Sequence, residues 1–379
     1  MATLTFMTHT IFDHGASKQL AKVLKQQGVQ RPLICTDRGL VELGMVAELT
    51  GHLGSELATA VFDGTPENPT QAAVQAAVEI YQRAECDGIV AFGGGSSMDL
   101  AKAVALAVTH EGDLLGYTAG LGGVAKIGPV APLVAIPTTA GTGSEVSSGA
   151  VIIMENGEKL ILASRHLVPR TAICDPTLTL GLPPRLTAAT GMDAMTHCIE
   201  ALISPQVNPP AEAVACDGIQ RGIRDGHLLN AVRDGGNRDA RWHMMMAAAE
   251  GAMAFSKGLG AVHSMSHACG ADQSLRLHHG TLNAVLLPTV LDFNRDHVGD
   301  KYARLNAAMG QAADADPADF IRELNASLGL PNGLAEMGVK HDAISALAEH
   351  ASKDICTFTN PRPCTVDDYQ GLFEVALAS

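Results

Sequence analysis

Aromatic residues make up only 4% of this 379-residue chain, with four Tyr, nine Phe and one Trp. Large rings therefore cannot dominate its core, which must rely on close approach of Ala-, Gly-, Met- and Leu-rich surfaces. Paired cysteines are missing as well: the eight stand apart at 35, 86, 174, 198, 216, 269, 356 and 364, with no C-x-x-C. That spacing excludes a disulfide framework and fits reduced thiols. No stretch of about 18 uninterrupted apolar residues occurs, which excludes a membrane-spanning helix. The opening MATLTFMTHTIFDHGA lacks a basic region followed by an apolar core, so no secretory signal is read and a cytoplasmic location is expected. Basic charge is also short, 26 Lys and Arg against 40 Asp and Glu, for a formal charge of -14. Nucleic acid and anionic membrane surfaces are poor partners for such a chain. Neither a G-x-G-x-x-G fingerprint nor a P-loop is present.

What the chain does have is 46% hydrophobic residues and more length than one core usually spans, so two domains are expected. Residues 31–36, 58–62, 88–92, 133–136 and 171–174 read as strands, separated by helical patterns over 15–28, 70–84 and 96–109. This alternation predicts an α/β domain over 1–180 with a largely parallel, Rossmann-like sheet. A hairpin is expected over 149–163, turning at Asn156-Gly157, and THTIFDHG is read as a small N-terminal edge strand pair. After the break at Leu182-Pro183-Pro184 the strands stop. Helical patterns follow at 185–203, 211–225, 239–256, 262–269, 280–293, 299–313, 317–328 and 341–351, giving an all-helical domain over 181–379.

The richest stretch for metal chemistry runs from Gly258 to Pro288 and holds His263, His267, His278 and His279, four of the 15 histidines. His263 and His267 lie four residues apart, on one face of a helix. Alone, such a pair is as often two satisfied core histidines as a site. Upstream, however, Asp193 and His197 repeat the spacing with a carboxylate in place of one imidazole. Nitrogen and oxygen ligands of this kind suit Fe(II), Zn(II) or neighbouring metals. In the first half, Gly93-Gly94-Gly95-Ser96-Ser97 joins a buried strand to a helix, where backbone N–H groups can face a phosphate. A second loop, Pro137 to Glu145, offers several hydroxyls. Asp37 closes a strand, where it can accept from an adenosine ribose and repel a 2′-phosphate, favouring NAD over NADP; it can equally cap the helix after it. Asn68 lies in ENPT, a segment that caps the helix beginning near Gln71.

Together, Asp193-x3-His197, His263-x3-His267, His279-Gly280 and the two loops resemble the iron-containing (group III) alcohol dehydrogenases over almost the whole chain. The resemblance implies four metal ligands, Asp193, His197, His263 and His279, with iron(II) as the metal and zinc(II) as the alternative. It implies catalytic proton transfer at His267. For NAD it implies contacts from Gly94, Gly95 and Ser96, with Asp99 nearby, from Thr138, Thr139, Thr142 and Ser144, from Lys159 at a ribose and from Asn68 near the nicotinamide. It further implies a homodimer or larger homo-oligomer. One departure is plain: the family commonly has Pro-His-Gly at the last ligand, where this chain has Leu277-His278-His279-Gly280. His279 directly precedes the glycine and is taken as the ligand, with His278 as the substitute.

Within the family, Asn208-Pro209-Pro210-Ala211, the stretch Leu277 to Ala284 and Leu330-Pro331-Asn332-Gly333-Leu334 resemble the branch that includes 4-hydroxybutyrate dehydrogenases. The expected reaction is NAD-linked interconversion of a short primary alcohol and its aldehyde. 4-Hydroxybutyrate and succinate semialdehyde are one candidate pair, and general short-chain alcohols are the alternative. Arg276, His278 and Lys257 are the nearest basic residues for a substrate carboxylate. Dehydroquinate synthase shares a related architecture, NAD and a metal, but it needs a dense basic cluster that is not seen here. A non-catalytic metal-binding protein would leave the glycine-rich loops unexplained.

Overall fold

A computed structural model describes residues 8–54, 57–271 and 275–378. They divide into two compact units, one from Met7–Thr139 and Gly143–Thr179, the other from Leu180–Ser379 with the short stretch Ala140–Thr142.

The first unit contains strands β1 (Thr10–Phe12), β2 (Pro32–Cys35), β3 (Ala60–Phe62), β4 (Gly88–Gly93), β5 (Leu133–Pro137), β6 (Gly149–Ile153), β7 (Lys159–Ala163) and β8 (Thr171–Cys174). Its helices are α1 (Leu20–Gln27), α2 (Arg38–Glu42), α3 (Met45–Gly51), α4 (Gln71–Arg83) and α5 (Gly95–Ala107). Six strands form a sheet in the order β1-β8-β5-β4-β2-β3, with every pairing parallel. β2, β4, β5 and β8 are buried at every position, as a parallel sheet covered on both faces requires.

Their alternate residues divide between two cores. Leu33, Ile89, Ala91, Leu133 and Ala135 pack with Val74, Ala77 and the Leu100–Leu106 stretch of α5. Ile34, Val90, Phe92, Val134 and Ile136 pack instead with Leu20, Val23 and Leu24 of α1 and Val46 and Leu49 of α3. The period of two in these strands is thus what seats helices on both faces.

β6 and β7 form the expected antiparallel hairpin, and Gly157 takes the left-handed φ of 83° that its turn requires. The N-terminal segment departs from expectation. TIF is a single strand that pairs in parallel with β8, Thr10 opposite Ala172, because its partner lies some 160 residues away rather than across a local turn. The helix read after Asp37 is α2, whereas the short helix α3 lies beyond the expected set.

The second unit is helical: α6 (Pro184–Ile203), α7 (Pro209–Ile219), α8 (His227–Arg233), α9 (Arg238–Ala254), α10 (Ala261–Gly270), α11 (His279–Asn294), α12 (Lys301–Met309), α13 (Pro317–Ser327), α14 (Ile344–Lys353) and α15 (Val366–Ala378). The final helix α15 lies beyond the expected set. α6 is buried continuously from Thr187 to Ile203, and both of its ends are fixed by buried cations. At its start, Arg241 donates to Thr187 Oγ1 (2.8 Å), Leu182 O and Gly235 O. At its end, Lys257 Nζ donates to the carbonyls of Ala201, Leu202 and Ser204 and pairs with Glu212 at 2.9 Å. A cation at a helix C-terminus is electrostatically favoured, and this capping removes Lys257 from the candidates for a substrate carboxylate. Among the described residues no helix is long and apolar enough to cross a membrane.

Candidate metal centre and dinucleotide loops

Three helices of the second unit bring the expected ligands together. α6 carries Asp193 and His197 one turn apart, α10 carries His263, and α11 begins at His279. The close approach of α11 to α6 depends on Gly280, since a Cβ there would lie 2.2 Å from Ala189 O and 3.2 Å from Asp193 Cβ. That clash is a physical reason for glycine after the last histidine.

Asp193 Oδ1 lies 3.8 Å from His197 Nε2 and 3.6 Å from His279 Nε2. The ligand atoms of Asp193, His197 and His263 all fall within 4.8 Å of one another. Ligands on a tetrahedral metal at about 2.1 Å stand roughly 3.4 Å apart, so a modest contraction would close this set on an ion. Asp193 and His263 are almost wholly enclosed, whereas the His279 side chain is 28% exposed, which leaves that side approachable. Of the adjacent pair it is His279 that turns Nε2 to Asp193; His278 is exposed and its Nδ1 lies near Thr281 Oγ1.

The donor chemistry fits a divalent cation. Glu200 Oε2 accepts from His263 Nδ1 at 2.6 Å and Glu200 Oε1 from Val262 N at 2.8 Å. With its proton on Nδ1, His263 presents a lone pair at Nε2, the arrangement in which a carboxylate orients a metal-binding imidazole. Burial pushes the His197 pKa down to about 4, so that ring is neutral at pH 7, the state in which imidazole binds metal. Burial also pushes His263 down, but the hydrogen bond and charge of Glu200 outweigh it and leave His263 above its ordinary value.

Asp193 Oδ1, His263 Nε2 and His279 Nε2 all approach the side-chain amide nitrogen of Asn283, at 2.7, 3.2 and 3.2 Å. An amide has two hydrogens and cannot donate to all three at once. A carboxylate oxygen and two ring nitrogens meeting at one point suit a cation.

His267 lies beside this group. Its Nδ1 donates to Asp354 Oδ2 at 2.9 Å, and its ring stacks on His279 with centroids 5.5 Å apart. Burial pushes the Asp354 carboxyl up, yet His267 and the Cys356 N–H together hold it well below the usual carboxylate range. Asp354 thereby fixes one tautomer of His267 and leaves Nε2 for proton exchange.

A second group, His227, Asp239 and His243, also gathers ligand atoms, but it is poorly formed for metal. The two rings stack at 4.0 Å and 10°, and the Asp239 side chain is 78% exposed. Arg221 Nη1 stands 3.0 Å from His243 Nδ1, and its donated hydrogen bond places the imidazole proton on the nitrogen a metal would need.

In the first unit, Gly94 and Gly95 link β4 to α5, and the N-terminal N–H groups of α5 are positioned for an anion. Gly93 takes a φ of 153°, and a Cβ there would meet Ser97 Oγ at 2.5 Å, so this turn requires glycine. Ser96 Oγ donates to Glu67 O, which ties the loop to the ENPT segment. Lys159 Nζ donates to Asn68 Oδ1 at 3.0 Å, which joins two expected cofactor contacts.

Thr138 N donates to Gly93 O at 2.9 Å and so holds the second loop against the first. Thr139 follows it, with Oγ1 3.5 Å from where a Cβ on Gly94 would stand. Thr142 falls in the stretch that groups with the helical unit.

Asp99 and Ser144 turn towards each other: Ser144 Oγ donates to Asp99 Oδ1 at 2.7 Å, and Val151 N donates to Asp99 Oδ2 at 2.9 Å. The buried Lys102 amine, which burial lowers to about 8, donates to Ser144 Oγ, Ser147 O and Gly149 O. Asp99 thus braces the loop against the hairpin. Asp37 lies two residues beyond the end of β2 and caps α2 by accepting from Leu40 N at 3.1 Å.

Sequence reasoning passed over Glu200, Ser266, Asn283 and Asp354. Glu200 had a local signal, being an acid seven residues from Asp193 and so on the same helix face. Ser266, whose Oγ lies 3.2 Å from His279 Nδ1, and Asn283, one turn after His279, had only proximity to ligands. Asp354, 87 residues from His267, had none.

Comparison with known proteins agrees with this geometry. Residues 7–176 match the family model described as iron-containing alcohol dehydrogenase, and residues 187–377 match the C-terminal model of the Fe-containing alcohol dehydrogenase family. The chain is 49% identical over 385 aligned positions to a 4-hydroxybutyrate dehydrogenase from Cupriavidus necator, covering 100% of both. It is 37% identical to an NAD-dependent methanol dehydrogenase from Bacillus methanolicus, covering 97% of this chain and 98% of the other. The crystal structure of a 1,3-propanediol oxidoreductase superposes with a TM-score of 0.92 at 34% identity, covering 99% of this chain and 100% of that one.

Proposed function

We infer the details of the reaction from one premise: this chain belongs to the iron-containing alcohol dehydrogenase family, and it interconverts an alcohol and its aldehyde on NAD. Asp193, His197, His263 and His279 hold one divalent metal, iron(II) by the family's habit and zinc(II) as the alternative. When bound, the metal supplies Lewis acidity towards the alcohol oxygen and the nicotinamide supplies the hydride acceptor. Glu200 keeps the Nε2 of His263 turned into the ligand set. His267 takes the alcohol proton at Nε2, while Asp354 holds Nδ1 and stabilises the imidazolium that forms. Gly94, Gly95 and Ser96 receive the pyrophosphate at the start of α5. Thr138, Thr139 and Thr142 line the cofactor, Ser144 and Asp99 brace that loop, and the joined Asn68 and Lys159 orient the nicotinamide riboside. The convergence of three acceptor atoms on one point beside His267 carries this reading.

Asp37 sets the cofactor preference by accepting from the adenosine ribose and repelling a 2′-phosphate. Asp37→Gly should therefore move the ratio of kcat/KM for NAD over NADP towards unity. The check is steady-state kinetics with both cofactors, and equal efficiency of the unaltered protein with the two would remove Asp37 from this role.

The substrate is an ω-hydroxy acid, with 4-hydroxybutyrate and succinate semialdehyde as the working pair, supported by the 49% identity to a protein of that name. A carboxylate remote from the reacting carbon needs a cationic partner. Arg276, which takes a left-handed φ of 48° three residues before α11, and the exposed His278 are the basic residues that adjoin the last ligand in sequence. We expect higher kcat/KM for 4-hydroxybutyrate than for butanol, and an advantage about tenfold smaller in Arg276→Ala, the scale of one hydrogen bond to a charged group. Faster turnover of butanol, with Arg276→Ala changing neither rate, would assign the protein to general short-chain alcohols.

A further inference from the structure

The three atoms that meet at Asn283 are ligand atoms of the metal site just proposed, and the following inference rests on that reading. Asn283 lies on α11 one turn after His279 and has no exposed surface. Its amide nitrogen donates to Asp193 Oδ1 at 2.7 Å and lies 3.2 Å from both His263 Nε2 and His279 Nε2. Its own Oδ1 is buried without a hydrogen-bond partner among the described residues.

That combination sets the side chain's orientation. Turning the amide over would press its oxygen against the Asp193 carboxylate oxygen, which lies 2.7 Å from the present nitrogen, so nitrogen faces the ligands. Among the described residues, the hydrogen bonds of the Asn283 side chain are those to the ligand set.

A divalent metal bound by Asp193, His263 and His279 takes the same lone pairs. An imidazole nitrogen has one lone pair in the ring plane and cannot serve both a metal and an amide N–H. The metal and Asn283 are therefore alternative partners for at least the two histidines.

We propose that Asn283 is a positioning residue that competes with the metal: its amide holds Asp193, His263 and His279 together when the metal leaves, and must release the histidines when it enters. This role runs opposite to that of Glu200. Groups such as Glu200, which bind the far side of a ligand, strengthen metal binding, and their loss weakens it about 10–100-fold. Asn283 binds the metal-facing side. It stabilises the stripped site more than the loaded one, so its loss should tighten metal binding. The expected size is roughly tenfold or more, the scale of a hydrogen bond to a charged group.

The test compares the full-length wild type with Asn283→Ala, both stripped by chelation and titrated with zinc(II) against a chromophoric chelator, with melting temperatures recorded before and after loading. The inference predicts that the variant binds zinc at least tenfold more tightly, and that its melting temperature falls further below wild type when stripped than when loaded. Unchanged or weaker zinc binding by the variant, or equal losses of melting temperature in both forms, would overturn it and make Asn283 a support of the fold or of the loaded site. If the alanine variant does not fold, Asn283→Ser, whose shorter side chain reaches less of the set, is read by the same criteria. Failure of the wild type itself to bind one equivalent of zinc would instead count against the metal site.

Discussion

Asp193→Ala should abolish stoichiometric metal binding and lower kcat/KM by about three powers of ten or more. The physical basis is the loss of the site's charge as well as a ligand. Asp193 is 2% exposed, and its Oδ1 faces His197, His279 and Asn283 at 3.8, 3.6 and 2.7 Å. Without it, three imidazoles remain as candidate ligands, and the carboxylate of Glu200 is bound to the back of His263. Lewis-acid stabilisation of a developing alkoxide is worth several kcal/mol, and each 1.36 kcal/mol is about tenfold in rate. Glu200→Gln, which leaves all four ligands in place, should cost less, about 10–100-fold in metal affinity. Metal analysis beside steady-state kinetics checks both. An Asp193→Ala protein that keeps one equivalent of metal and near-normal rate would remove Asp193 from the centre.

His267→Ala should lower kcat by about 10²–10⁴-fold, the usual worth of a positioned general acid or base, while metal content stays at one equivalent. The separation of the two readouts follows from the geometry. His267 Nδ1 is engaged by Asp354 at 2.9 Å, and its ring lies against that of His279, so it adjoins the ligands with one ring nitrogen already taken. The variant's pH–rate profile should lose a limb that the wild type shows. Loss of metal along with activity would instead make His267 a fifth ligand or a structural prop. A normal rate and an unchanged profile would leave the proton path elsewhere.

The sheet was legible because its strands are fully buried apolar runs, such as Gly88–Phe92, set between turn residues and helical stretches. The hairpin was legible from Asn156-Gly157 set between two apolar runs. The misread N-terminus shows the limit: Thr10–Phe12 takes its place from β8, and no local pattern encodes a partner so distant in sequence. The helix α2 was legible from its cap Asp37 and not from periodicity, which five residues scarcely show.

At the site, i,i+4 spacing exposed the pairs on α6 and α10 because a helix places those residues on one face. The groups that orient them were harder to see. Glu200 shares the face of Asp193 but looks like any helical acid until its distance to His263 is known. Asp354 reaches His267 only through tertiary packing. Asn283 carries no charge and matches no ligand pattern; only the convergence of three acceptors on its amide sets it apart. Lys257 shows the reverse case, a cation near the ligands in sequence that is spent on the carbonyls ending α6.

The most direct test of the metal centre is a crystal of metal-loaded protein with anomalous data collected on both sides of the iron absorption edge. We predict one strong peak enclosed by Asp193, His197 Nε2, His263 Nε2 and His279 Nε2, each at about 2.0–2.2 Å, the bond lengths such ligands make to a divalent first-row metal. A peak coordinated by His278 in place of His279, a peak at His227 and His243, or a loaded active enzyme with no metal at Asp193 would contradict it.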